Sequence, residues 1–392
     1  MAVATVLTLG VAAAASLFMA WSIGAGSSGS TPFAPAVGAN AISVMRAGLV
    51  VGVLGLLGAV LQGANVTEAV GTELIGGVTL TAGAAIVALV TAAGLVAIGV
   101  FAGYPIATAF TVTGAVVGVG LAMGGDPAWP KYVEILTLWV LTPFVGGGVA
   151  YAVARSLMGD RLPERALTAG LAAIVGVIVA NVGFALLGPP GEQASLSEAI
   201  GSELGAGAIG TPLVTVAVAA IVAAAMYVDL GRDREGAQRR FLLAMGGLVA
   251  FSAGGSQVGL AIGPLVPLFV GDASVPLWAL LVGGGVGLLA GSWTGAPRMI
   301  KAIAQDYASM GPRRSIAALI PSFAIAQAAV AFGIPVSFNE IIVSAIVGAG
   351  YAAGDAGVSR AKMGYTAFAW AASLVGSFVL GFGIYWAVQF VL

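Results

Sequence analysis

The sequence predicts an all-α polytopic membrane protein of about twelve transmembrane segments, arranged as two inverted-topology repeats with broken or re-entrant helices. Three observations predict it. The 392 residues are 59% hydrophobic and only 8% charged, where a soluble domain carries roughly 25%, so charge cannot cover the surface of a soluble fold this large. Apolar runs of about 20 residues recur, the length a helix needs to cross a bilayer, whereas a β-barrel would show short alternating segments. Two sets of motifs also repeat at nearly one sequence offset.

Composition excludes several classes of activity. The net charge of -1 leaves no basic footprint, so no nucleic-acid partner is expected. There is neither Cys nor His, hence no disulfide, thiolate or imidazole chemistry. No catalytic residue, metal site or cofactor is expected, and an enzyme is not. The 60 glycines suit close helix packing and interrupted helices in lipid.

The apolar runs follow in order. The first, 2–23, lacks a basic n-region and reads as a mature helix rather than a signal peptide. Runs at 47–64, 76–101, 103–123 and 135–155 come next, then 166–188 and 206–228. The last five are 242–271, 276–297, 315–332, 334–352 and 363–390. With the N-terminus outside and the runs alternating, the inner loops hold Arg46; Arg155, Arg161 and Arg165; Arg232, Arg234, Arg239 and Arg240; Arg298, Lys301, Arg313 and Arg314; and Arg360 and Lys362. Only Lys131 falls outside, an asymmetry that fixes orientation by the positive-inside rule. Both termini are then extracytoplasmic, and the outer loops carry Glu68, Glu73, Asp126, Glu134, Glu192, Glu198, Glu203 and Asp272.

The repeat is visible in two pairs of stretches. Ala25-Gly26-Ser27-Ser28-Gly29-Ser30-Thr31-Pro32-Phe33-Ala34-Pro35 pairs with Gly254-Gly255-Ser256-Gln257-Val258-Gly259-Leu260-Ala261-Ile262-Gly263-Pro264 at an offset of 229, and Gly103-Tyr104-Pro105-Ile106-Ala107-Thr108 pairs with Gly333-Ile334-Pro335-Val336-Ser337-Phe338 at 230. Seven runs separate the two starts, and an odd number inverts the second copy, as in many secondary transporters. The expected organisation is a first repeat over 1–165, linking helices and a cytoplasmic loop over 166–241, and a second repeat over 242–392.

The four stretches also nominate a site. Small residues with Pro35 and Pro264 are expected to interrupt helices within apolar segments. Freed backbone N–H groups and a helix N-terminus bind anions, and hydroxyls and amides add neutral donors. The candidate substrate-binding residues are Gly26, Ser27, Ser28, Thr31, Thr108, Gly255, Ser256, Gln257, Ser337 and Asn339. Glu340 is the one charged residue that no loop accommodates, and an intramembrane carboxylate is a functional hypothesis by default; it can carry a proton or bind a sodium ion. Arg298, at an inner helix end, reads as a positive-inside anchor.

These motifs resemble the inorganic phosphate transporter (PiT) family over most of the chain. That family carries two G-A-N-D-V-A-N-type motifs, to which Phe251-Ser252-Ala253-Gly254-Gly255-Ser256-Gln257-Val258, continuing through Ala261-Ile262-Gly263-Pro264-Leu265, is similar. Its G-L-P-V-S-T-T-H motif resembles Gly333–Ser337 closely and Gly103–Thr108 in part, and Leu138-Trp139-Val140-Leu141-Thr142-Pro143 is similar to its S-W-h-x-S-P segment. There are departures. The motif Asn positions hold Ser27 and Ser256, the sodium-associated Asp positions hold Ser28 and Gln257, the second Asn positions hold Thr31 and Leu260, and Glu340 replaces the histidine. In these respects the chain also resembles the family's sulfate-permease branch.

The resemblance implies a secondary transporter that imports an inorganic oxyanion by alternating access, phosphate first and sulfate close behind. It also implies a homodimer in the cell membrane. No phosphate-binding G-x-x-x-x-G-K-[ST] loop is present, so a proton or sodium gradient is expected to drive it. An uncoupled anion facilitator is the alternative.

Overall fold

The structure is a computed structural model describing residues 3–159, 162–189, 192–205, 207–272, 275–354 and 358–389. Arg161 of the expected inner loops and the side chain of Asp272 lie outside the described set. Sixteen α-helices are described: α1 (Val3–Gly26), α2 (Ala34–Gly38), α3 (Val44–Gln62), α4 (Ala64–Thr72), α5 (Ala82–Ala102), α6 (Thr108–Ala122), α7 (Trp129–Met158), α8 (Glu164–Asn181), α9 (Leu196–Glu203), α10 (Gly210–Arg232), α11 (Arg234–Ile262), α12 (Leu277–Thr294), α13 (Ala296–Asp306), α14 (Pro312–Ala331), α15 (Phe338–Tyr351) and α16 (Arg360–Gln389). The only strands among the described residues are two-residue antiparallel pairs, Ile75–Gly76 with Asp126–Pro127 and Gly183–Phe184 with Ala194–Ser195.

Every expected apolar run contains a helix, and two of the runs hold helices too short to cross a membrane alone, in keeping with the expectation that some segments are broken. Among the described residues ten helices are long and apolar enough to cross a membrane, while α6 and α15 have 15 and 14 residues. The shortfall has a local cause. Gly103 and Gly333 adopt φ of +75° and +64°, a left-handed cap that glycine takes without a Cβ penalty. A proline follows each two residues later and holds the preceding residue extended. Residues 103–107 and 333–337 therefore run as open chain, and α6 and α15 start late.

The long helices pack in an interleaved order. α1 lies against α5 and α12, while α11 lies against α14 and α3. α7 covers α15, and α16 covers α6. Glycines permit the closest crossings. A Cβ at Gly24 would strike the Leu288 backbone and one at Gly291 the Trp21 backbone; one at Gly254 would strike Gly55, and one at Gly58 would strike Phe251. In lipid, where burial gives no hydrophobic gain between helices, such backbone proximity is the main source of packing energy. Gly254→Ala is accordingly expected to cost about 1–3 kcal/mol by overpacking. Gly94→Ala, where a Cβ meets nothing within 4 Å, is expected to be neutral or slightly stabilising. Thermal unfolding of the two variants in detergent checks the contrast.

The bundle has two chemically distinct ends. At one, Arg239 donates to the Ala41 carbonyl (2.9 Å), Lys362 pairs with Asp306 (3.2 Å), and Arg234 and Arg313 both reach Glu164. Arg298 also lies here, donating to the Phe101 carbonyl at 3.4 Å, so it braces the end of α5 as an anchor would. At the other end, Lys131 pairs with Glu73 (2.9 Å) and Glu134 (3.2 Å), and the Tyr132 hydroxyl donates to the Leu74 carbonyl (2.7 Å).

Candidate functional site

The candidate site lies where α1 stops. Ser27 and Ser28 N–H groups both bond to the Ile23 carbonyl, and the hydroxyls of Ser30 (3.2 Å) and Thr31 (3.0 Å) both donate to the Ser27 carbonyl. Such local hydroxyl bonds compete with the helix ladder, and Pro32 lacks the N–H needed to resume it. The chain turns at Ser27–Phe33 before α2.

The second motif departs from expectation. α11 continues unbroken through Gly254–Ile262 and gives way only at Gly263–Leu265. Ser256 and Gln257 are thus presented from an intact helix. No proline interrupts this stretch before Pro264, and it lacks the Ser-Ser-Gly-Ser-Thr-Pro run that unwinds α1.

Gln257 joins the parts. Its Nε2 donates to the Val336 carbonyl at 2.6 Å, and its Oε1 accepts from Thr108 at 2.7 Å and from Ser27 at 3.2 Å. Thr108 and Ser27 hydroxyls are also 3.3 Å apart. Asn339 makes the complementary bridge, its Nδ2 donating to the Gly26 carbonyl (2.8 Å) and the Ile106 carbonyl (2.6 Å). One α1 turn, one α11 side chain and both open segments are tied within a single cluster. Thr108 and Asn339 stand in the first turns of α6 and α15, whose N-caps Ala107 and Ser337 make no side-chain cap bond. The first backbone N–H groups of a helix have no intrahelical partner and carry partial positive charge. Two such ends converge here, the arrangement that discontinuous helices use to hold anionic groups at mid-membrane.

The open segments carry carbonyls that no helix satisfies, and lipid cannot satisfy them. Side chains do so instead. Besides the Gln257 and Asn339 bonds, Trp139 Nε1 on α7 donates to the Pro335 carbonyl (2.9 Å), and Trp370 Nε1 on α16 donates to the Pro105 carbonyl (2.8 Å). The candidate list omitted both tryptophans. Their spacing of 231 residues, nearly that of the repeated motifs, was the available signal.

The surroundings are closed to solvent and hold few ionisable side chains. Ser27, Thr31, Thr108, Ser256, Gln257, Ser337 and Asn339 are wholly inaccessible, and Ser28 and Glu340 are 2% exposed. Glu340 is the one acidic or basic side chain buried among the described residues. Buried polar atoms are nearly always hydrogen-bonded. Here Ser256 Oγ, Ser337 Oγ, Asn339 Oδ1 and Glu340 Oε2 have no partner among the described residues. The amide orientation of Asn339 is fixed by its two carbonyl partners, so its oxygen is the free end.

Of the nominated residues, Gly26 contributes its carbonyl and Thr31 shapes the turn. Gly255 belongs to packing: a Cβ there would meet Gln62 on α3 at 2.8 Å, so its smallness serves the α3–α11 crossing. Among the described residues no group of three or more potential metal-ligating side chains occurs.

A multi-pass helical membrane protein whose interior holds a closed, donor-rich polar cluster between two half-helices has the construction of a transporter. Residues 23–381 match the Phosphate transporter family, and the chain belongs to it. A Pyrococcus furiosus chain with a provisional phosphate-permease name is 26% identical, covering 87% of each chain. Inorganic phosphate transporter 2-1, chloroplastic, of Arabidopsis thaliana is 24% identical, covering 86% of this chain and 65% of its own length. The solved structure of a sodium-dependent phosphate transporter overlays with a TM-score of 0.82 at 20% identity, covering 98% of this chain and all of that one.

Proposed function

We propose that this protein imports inorganic phosphate across the cell membrane by alternating access, and that a cation, the proton first, is coupled to it through Glu340. The two repeats, 1–165 and 242–392, are inverted copies rocking about the cluster, joined by 166–241. Both termini face outward, since the arginine-rich end is cytoplasmic by the positive-inside rule. The closed cluster corresponds to an occluded intermediate.

The observation that carries the choice of substrate is the unpartnered Asn339 Oδ1 between the two half-helix starts. The backbone N–H groups and hydroxyls of the cluster can donate to either oxyanion. Hydrogen phosphate also has an O–H that can donate to a free acceptor, whereas sulfate has none. A buried acceptor left unpaired costs about 1–3 kcal/mol, so sulfate is disfavoured by about tenfold or more. The loss of both sodium-associated aspartates, now Ser28 and Gln257, leaves Glu340 as the carboxylate that can exchange a cation, and favours the proton. The related solved structure is of a sodium-dependent protein, so sodium is the competing driver.

Titration calorimetry on the detergent-purified protein tests the selectivity. Phosphate is expected to bind about tenfold or more tightly than sulfate, and Asn339→Leu to abolish the difference. Equal affinities in the parent protein would remove the argument for phosphate.

A further inference from the structure

A second charged feature lies at the arginine-rich end, away from the central cluster. The end of α7 and the starts of α11 and α14 enclose a cavity of about 370 Å³, lined by Arg234, Gln238, Arg313 and Arg314 with Glu235. Three properties mark it as an anion site.

First, the arginines are in electrostatically unfavourable places. Arg234 opens α11, and Arg313 and Arg314 lie in the first turn of α14. Helix N-termini carry partial positive charge and disfavour cations. Second, compensation is incomplete. Arg234 and Arg313 both donate to the same oxygen of Glu164, Oε2, and Gln238 donates to the other. Arg314 reaches only the Ser309 hydroxyl, at 3.3 Å, among the described residues. A guanidinium offers five donors, so most of this capacity is unspent. Third, the α14 start is uncapped: its N-cap is Gly311, with no side-chain cap bond.

We propose that this cavity binds a phosphate group, held by Arg234, Arg313 and Arg314 with the α14 N-terminus behind it. Fork-shaped guanidiniums and tetrahedral phosphate oxygens match bidentately. The group comes from an anionic phospholipid headgroup or from free inorganic phosphate on the same face. Either source competes with Glu164, the first residue of α8, for Arg234 and Arg313. Occupancy therefore loosens α8 from α11 and α14, giving the cavity a regulatory lever that does not depend on the central site.

The test compares the full-length protein with the double variant Arg234→Gln/Arg313→Gln and with the charge-preserving Arg234→Lys/Arg313→Lys. Each is first checked for an unchanged elution profile and thermal midpoint. Native mass spectrometry after exposure to mixed phosphatidylglycerol and phosphatidylcholine reads lipid retention. Equilibrium binding of labelled inorganic phosphate to delipidated protein reads free-phosphate stoichiometry. A headgroup source predicts that phosphatidylglycerol retention falls about tenfold in the glutamine variant, is partly kept in the lysine variant, and leaves phosphate stoichiometry unchanged. A free-phosphate source predicts two sites in the parent and one in the glutamine variant, with lipid retention unchanged. If the folded glutamine variant matches the parent in both readouts, the cavity is not a phosphate-group site. Failure of the central site alone would instead show as one phosphate bound in the parent and none in the glutamine variant.

Discussion

Gln257→Leu is expected to lower phosphate uptake by about two orders of magnitude while leaving the protein folded. The amide of Gln257 is the one group that touches α1, the start of α6 and the open segment before α15. Leucine fills similar space but leaves the Val336 carbonyl without its donor and deprives Thr108 and Ser27 of their shared acceptor. Each buried orphan costs about 1–3 kcal/mol, and the loss falls on the groups that form the proposed binding cluster. Gln257→Glu is expected to fail for a different reason. Its carboxylate keeps an acceptor for Thr108 but sets an oxygen against the Val336 carbonyl and places negative charge where an oxyanion must sit. Initial uptake rates in proteoliposomes, normalised to reconstituted protein, check both. Rates within about threefold of the parent, smaller than the loss of one such bond predicts, would mean that the substrate does not use this cluster.

Glu340→Gln is expected to abolish uphill accumulation while sparing exchange. Glu340 follows Asn339 in the first turn of α15 and is buried with Oε2 unpartnered. A glutamine preserves shape and fixes the neutral form, so the site can close and reopen with phosphate but carries no proton across. One unit of pH gradient corresponds to about 1.4 kcal/mol per proton, or about tenfold accumulation for one proton per turnover. The parent is expected to reach that ratio and the variant a ratio near one. Counterflow of labelled against unlabelled phosphate at equal pH, by contrast, should stay within a few-fold of the parent. An unchanged pH-driven accumulation in the variant would return Glu340 to a structural role.

Much of the candidate site was legible because lipid is an unforgiving solvent. A Gly-x-Pro segment inside an apolar run can persist only where other groups satisfy its carbonyls, so Gly103–Thr108 and Gly333–Phe338 announced themselves. The motif alignment at an offset of 229 pairs Ser27 with Ser256 and Ser28 with Gln257, so both motifs were legible, while the Ser27–Gln257 hydrogen bond joins positions one residue out of that register. Other features were hidden in identity or length. Gly255 carries the same one-letter signal as Gly26, yet its missing Cβ serves Gln62 on a neighbouring helix. The continuity of α11 past Gln257 depends on the absence of an early proline, a weaker signal than the presence of one. Where α6 and α15 begin within their apolar runs was not legible, because open chain and helix share the same hydrophobicity. Trp139 donates to the Pro335 carbonyl and Trp370 to the Pro105 carbonyl, and contacts between residues so far apart in the chain are recorded in neither local stretch alone.

The most direct test is accumulation of labelled phosphate in proteoliposomes of the purified protein under an inward proton gradient, an inward sodium gradient, or neither, each with and without excess sulfate. The expected result is accumulation above the outside concentration with the proton gradient alone, undiminished by sulfate. Movement of phosphate only down its own gradient under all three conditions, or uptake blocked by sulfate, would contradict the account.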